Sequence, residues 1–95
     1  MNAIPKKLKI GRSWYTVHTN IRQRKPILGK TYYKLKTIEI APLKRHRSYL
    51  DLYDTFWHEV THAVLHEMQS PLYRNEQFVQ QFSGLLNKAI MSARF

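Results

Sequence analysis

Apolar and polar positions alternate with a period of two in the first half of this chain and with a period near 3.6 in the second. Leu8 and Ile10 alternate with Lys7, Lys9 and Gly11, the pattern of a half-buried strand. Trp14, Tyr15, Thr16 and Val17 are strand formers that follow Gly11–Arg12–Ser13, so a hairpin is expected there. The stretch from Asn20 to Pro26 is polar and basic and reads as a loop. Gly29 precedes a further strand candidate, Thr31–Tyr32–Tyr33. Ile38 and Ile40 flank Glu39, and Pro42 closes that strand because it cannot donate to a ladder. From Tyr49 to Met68 there is neither Gly nor Pro, and Ser48 with Asp51 three residues on forms a helix start. Tyr53, Phe56, Trp57, Val60, Val64 and Met68 fall on one stripe of that helix. A second helix runs to about Ala93, beginning at Pro71 or after Asn75, with Phe78, Phe82, Leu85, Leu86, Ala89 and Ala93 as its stripe. Together these elements predict an α+β fold: a three- or four-stranded antiparallel sheet over residues 7–42, covered by two helices.

Length and composition narrow the class. Ninety-five residues make one domain (1–95) with a small core, and 43% apolar content is that of a globular chain. The absence of Cys excludes disulfides and thiolate metal sites, so any metal must be held by His, Asp or Glu. No apolar run approaches the about 18 residues of a membrane span, and Met1–Arg12 has no apolar stretch of the signal-peptide kind. A soluble cytoplasmic protein is expected. Charge divides the chain in two. Residues 1–47, the strand-rich half, hold 13 Lys and Arg against Glu39 alone, a balance of +12. Residues 48–95, the helical half, hold three basic residues against five acids, a balance of −2. A cationic half attracts an anionic partner, nucleic acid or an acidic protein.

The candidate chemistry lies in the second half. Residues 58–62 read His-Glu-Val-Thr-His, the H-E-x-x-H pattern, inside the longest expected helix. At about 100° per residue, His58 and His62 stand one turn apart on one face, where both imidazoles can reach one zinc ion. Glu59 points to the neighbouring side, where it can take a proton from a zinc-bound water. A catalytic zinc keeps three protein ligands and one open position, so a third ligand is needed. His66 and Glu67 are poor candidates, because a straight helix cannot wrap successive turns around one ion. The elongated motif that solves this with Gly is absent, since Leu65 and Met68 stand at the diagnostic positions. Asp54 meets the same objection, Asp51 lies nearly two turns away, and Glu39, His18 and His46 belong to the strand half. Glu76, near the start of the second helix, shares a face with Val79, Ser83, Leu86 and Ile90 and can turn inward. It is the favoured third ligand, in a site of two His and one Glu.

Thr37–Ile38–Glu39–Ile40–Ala41–Pro42, then Thr55 to Ala63 around the motif, then Asn75 to Phe82, resemble small gluzincin-type metallopeptidases encoded by phages and prophages. The resemblance spans roughly residues 28–90, and extends to ImmA/IrrE-like peptidases and more distantly to SprT-like ones. It implies a minimal zincin in the cytoplasm, the host's if phage-encoded, with Glu76 in the place of the third ligand. It also implies that the strand Thr37–Ala41 is a sheet edge that pairs with an extended protein or peptide substrate. Thr61 departs from the small or apolar residue usual at its position. Zinc-dependent peptide hydrolysis with Glu59 as general base is thus the expected function. The alternatives are a non-catalytic zinc-containing module whose basic half binds nucleic acid or a nucleic-acid-bound protein, and a metal-free DNA-binding protein. Glu59 is intact, which favours the enzyme. No aromatic-interleaved nucleic-acid motif stands in the sequence. Tyr49, Tyr53 and Tyr73 all lie near the motif, and nothing in the sequence selects one of them as an oxyanion donor.

Overall fold

Lys7–Ile10 (β1) and Ser13–His18 (β2) pair antiparallel, with Ile10 opposite Ser13. Gly11 and Arg12 are left as a two-residue turn, and Gly11 at φ +62° supplies the left-handed corner that such hairpin turns require. The computed structural model describes residues 4–19 and 27–95, so the loop expected over Asn20–Pro26 lies outside the described residues. Gly29–Tyr32 (β3) and Thr37–Ile40 (β4) form a second antiparallel hairpin through a turn at residues 33–36.

The strand order is β1-β2-β4-β3, and β2 runs parallel to β4. The sheet is therefore mixed and not antiparallel throughout. After β2 the chain crosses to the far side of the sheet and lays down β3 at the edge. The turn then brings β4 back into the gap beside β2. One consequence corrects the expectation for Thr37–Ala41: that strand is interior, bonded on both sides, and the edges are β1 and β3.

One face of the sheet carries the core. Ile10, Tyr15, Val17, Ile38 and Ile40 point inward onto Leu52, Phe56, Val60 and Ala63 of the helix Tyr49–Glu67 (α1). Ser48 caps this helix, its hydroxyl accepting from the Asp51 amide at 3.2 Å. Its far end is closed by Gln69 in the left-handed region at φ +59°, with the Ser70 amide returned to the Leu65 carbonyl. The helix is covered on two sides, by the sheet and by a second helix, Glu76–Ser92 (α2). That explains why the buried set is wider than the expected stripe. Thr61, His62 and Leu65 are buried as well, whereas Val64 and Met68 are exposed.

The expected stripe on α2 also rotates. Val79, Ser83 and Asn87 face inward, while Phe82 and Leu85 are exposed. Small side chains let the two helices approach closely, and the Asn87 amide donates to the Leu50 carbonyl at 3.1 Å. This is the row that begins with Glu76. Of the two expected starts of the second helix, Asn75 is the one that caps α2, while Pro71 opens a separate short 3-10 turn, Pro71–Arg74.

Glu67, at the end of α1, ties that helix to the sheet. Its carboxylate accepts from Tyr15 (2.8 Å), Ser13 (3.3 Å) and the Lys36 ammonium (2.7 Å). The Lys36 and Tyr15 bonds hold the Glu67 carboxyl below the usual carboxylate range. Burial, and then Glu67 itself, push the Tyr15 phenol upward. Among the described residues no helix is long and apolar enough to cross a membrane.

Candidate metal centre

The motif helix places His58 and His62 one turn apart, and the Asn75 cap starts α2 so that Glu76 occupies its first turn. The three side chains converge. His58 Nε2 lies 3.0 Å from Glu76 Oε1, and His62 Nε2 lies 2.9 Å from Glu76 Oε2. One ligand atom from each of the three lies within 4.8 Å of the others. A tetrahedral zinc with bonds of 2.0–2.1 Å separates its ligand atoms by about 3.3 Å, so each histidine stands within a few tenths of an ångström of that spacing from a Glu76 oxygen.

The donor set suits a cation. His62 Nδ1 lies 2.7 Å from the Tyr73 carbonyl, an acceptor, so that nitrogen carries the ring's proton. A neutral His62 then has no proton left for Nε2, yet Nε2 faces a carboxylate oxygen at 2.9 Å. Either a second proton or a metal ion must lie between them. The Tyr73 carbonyl also fixes the tautomer and ring orientation that present Nε2 to a metal, the usual outer support of a ligating histidine.

Glu59 stands beside this triad and is not part of it. It is only 7% exposed, against a Glu76 side chain that is 68% exposed. Thr31 of β3 donates its hydroxyl to Glu59 Oε1 at 2.7 Å. Burial raises the Glu59 carboxyl above the ordinary carboxylate value, with Glu76 adding to the rise, while Thr31, His58 and His62 act in the opposite direction. A carboxylate with a raised affinity for protons is suited to general base work near neutral pH.

The site opens into a cleft of about 330 Å³ lined by Gly29, Thr31, Tyr33, His58, Glu59 and Glu76, among others. Tyr33 is stacked on His66, ring centroids 4.3 Å apart, and edge-on to Tyr73. Its hydroxyl has no protein hydrogen-bond partner among the described residues. Burial, then the charges of Glu59, Tyr73 and Glu76, push its phenol up to about 12, so it remains a hydrogen-bond donor at neutral pH. His66 packs in this aromatic group, and His46 bridges the Pro42 carbonyl and the Thr55 hydroxyl, so both are packed side chains. His18 lies on the exposed face of β2.

Sequence reasoning missed Gly29, Thr31, Tyr33 and the Tyr73 carbonyl. Gly29 carried the only available signal, a Gly at a strand start, which often marks close backbone approach. A Cβ there would lie 2.9 Å from Thr55 Cγ2 and 3.0 Å from Glu59 Cγ.

Compared with protein-family models, curated proteins and solved structures, the chain matches none at a significant level.

Proposed function

We propose that this protein is a zinc-dependent peptidase, a minimal gluzincin-like enzyme acting on an extended segment of a protein. The observation that carries this reading is the convergence of His58, His62 and Glu76 beside a separate, buried carboxylate in an open cleft. A purely structural metal site has no use for Glu59, whose burial costs stability.

His58, His62 and Glu76 would hold the zinc ion. When bound, zinc acidifies a water molecule and polarises a substrate carbonyl. Glu59, held in place by the Thr31 hydroxyl, would act as general base toward the attacking water and would pass the proton on to the leaving amine. Tyr33 donates its free hydroxyl to the carbonyl oxygen as charge develops there. The substrate runs along β3, whose outer side is bonded to no strand among the described residues and whose Gly29 and Thr31 line the cleft. The edge assigned to substrate is thus β3 in place of Thr37–Ala41.

The test is cleavage of an unfolded protein such as casein by the zinc-loaded chain, beside Glu59→Gln. The wild type should bind one zinc and cleave, and Glu59→Gln should bind one zinc and cleave at least a hundredfold more slowly, the low end of general-base contributions. A wild type that binds no zinc, or a Glu59→Gln variant as active as the wild type, overturns the reading.

A further inference from the structure

The face of the sheet turned away from the helices carries side chains that the metal site does not use. Strand alternation and register place Lys7 and Lys9 of β1, Trp14 of β2, Glu39 of β4, and Lys30 and Tyr32 of β3 on this one face. Trp14 is 56% exposed, an unusual position for the largest apolar side chain in a chain with a small core. Lysines surround the two rings. Lys7 Nζ and Lys9 Nζ stand 5.1 and 6.0 Å from the Trp14 ring centre, and Lys30 Nζ stands 5.2 Å from that of Tyr32. Glu39 is the one acid among them, and its carboxylate accepts the Tyr32 hydroxyl at 3.3 Å.

We propose that this face binds single-stranded nucleic acid, with Trp14 and Tyr32 stacking on bases and Lys7, Lys9 and Lys30 meeting phosphates. The two rings are two strands and one side-chain step apart, roughly 12 Å by standard strand spacing. That is too far for both to share one base and suits two separate bases of an unstacked strand. A duplex hides its base faces, so it cannot use the rings. An open sheet face bearing aromatics is a known way to hold single strands. The contacts already made do not block it. An exposed cation–π pair is weaker than the stacking of a base, so a base displaces the lysine from the ring and leaves it free for phosphate. The pattern escaped the sequence because Trp14 and Tyr32 lie on strands far apart in the chain, brought to one face only by the strand order.

This inference is independent of the metal site. The experiment measures binding of a fluorescein-labelled oligothymidylate to the full chain, zinc-free and zinc-loaded, by anisotropy. A fully paired duplex of equal length and heparin serve as competitors. Trp14→Ala should weaken binding roughly 5- to 150-fold, the equivalent of one lost stack, with an unchanged melting temperature. Tyr32→Leu should do the same in part. Engaging three lysines gives a slope of log affinity on log salt of about −2, and Lys7→Ala with Lys9→Ala should bring it to about −0.7. The single strand should also quench the Trp14 component of the fluorescence, read in a Trp57→Phe background. Three results each overturn the proposal: no binding at 50 mM salt; binding insensitive to both Trp14→Ala and Tyr32→Leu; or duplex and heparin competing as well as the single strand, which marks a mere polyanion surface.

Discussion

Gly29→Ala tests how closely the sheet edge must approach the motif helix. At a strand position with ordinary backbone angles, Gly→Ala stabilises by about 0.4–1 kcal/mol, because the unfolded chain loses freedom. Space reverses the sign here. The new Cβ would sit 2.9 Å from Thr55 Cγ2, 3.0 Å from Glu59 Cγ and 3.1 Å from Glu59 Oε2. Neither neighbour can yield without loss. The Thr55 hydroxyl is bonded to the Asp51 carbonyl and faces His46 Nε2, so rotating that side chain gives up both contacts. Glu59 is held by Thr31 at 2.7 Å. Overpacking of this kind costs about 1–3 kcal/mol, and a hydrogen bond surrendered adds about 1 kcal/mol. The net expectation is a loss of about 1–3 kcal/mol, which for a domain of this size lowers the melting temperature by roughly 5–20 °C. Because the moving atoms belong to Glu59, hydrolysis should fall more than zinc affinity. Thermal unfolding by circular dichroism, zinc titration and casein cleavage on the same preparation read all three quantities. A Gly29→Ala protein that melts at or above the wild-type temperature would refute the reasoning. Serine, slightly larger and with a hydroxyl, should be worse than alanine.

Glu76→Ala should lower zinc affinity well beyond the 10–100-fold expected for loss of an outer-shell partner, and His66→Ala should leave it nearly unchanged; isothermal titration with a competing chelator measures both. Tyr33→Phe keeps the stack on His66 and removes only the hydroxyl, so kcat should fall about 10²–10³-fold at constant zinc content. Equal kcat values would remove Tyr33 from the chemistry. Glu67→Gln should cost about 1 kcal/mol at pH 7, since the Lys36 contact is partly exposed. The Glu67 carboxyl lies lower in the folded than in the unfolded chain, so its contribution is present above the ordinary carboxylate range near pH 4.3 and is lost as pH falls through the folded value. The stability gap between wild type and Glu67→Gln should therefore be constant near neutrality and close below about pH 4; a gap that widens in acid contradicts this assignment.

What could be read in the chain before its structure depended on distance along it. His58, Glu59 and His62 lie within one turn and a half of a helix, so their mutual placement follows from helical geometry alone. Ser48 and Asn75 mark helix starts for equally local reasons, because a cap is satisfied by an amide three residues on. Glu76 was reachable by a longer inference: a short connection after α1 leaves few places for an inward acid on the next helix. The strand order was not reachable this way. Period-two alternation shows that Ile38 and Ile40 share a face, but it says nothing of which strands flank them, and an interior β4 satisfies the pattern as well as an edge does. Everything at the site that depends on the strand order was therefore missed together. Gly29, Thr31 and Tyr33 enter the cleft because β3 is the edge beside α1, and Tyr73 acts through its backbone carbonyl, which no side-chain pattern can announce. The stripe of α2 failed for a related reason. Hydrophobicity alone favours burying Phe82 and Leu85, but the row that delivers Glu76 to the two histidines also carries Val79, Ser83 and Asn87. A single helix has one rotation, which sets at once the residues it packs on α1 and the position of Glu76. The rotation that turns Glu76 toward the histidines is the one that leaves Phe82 and Leu85 exposed.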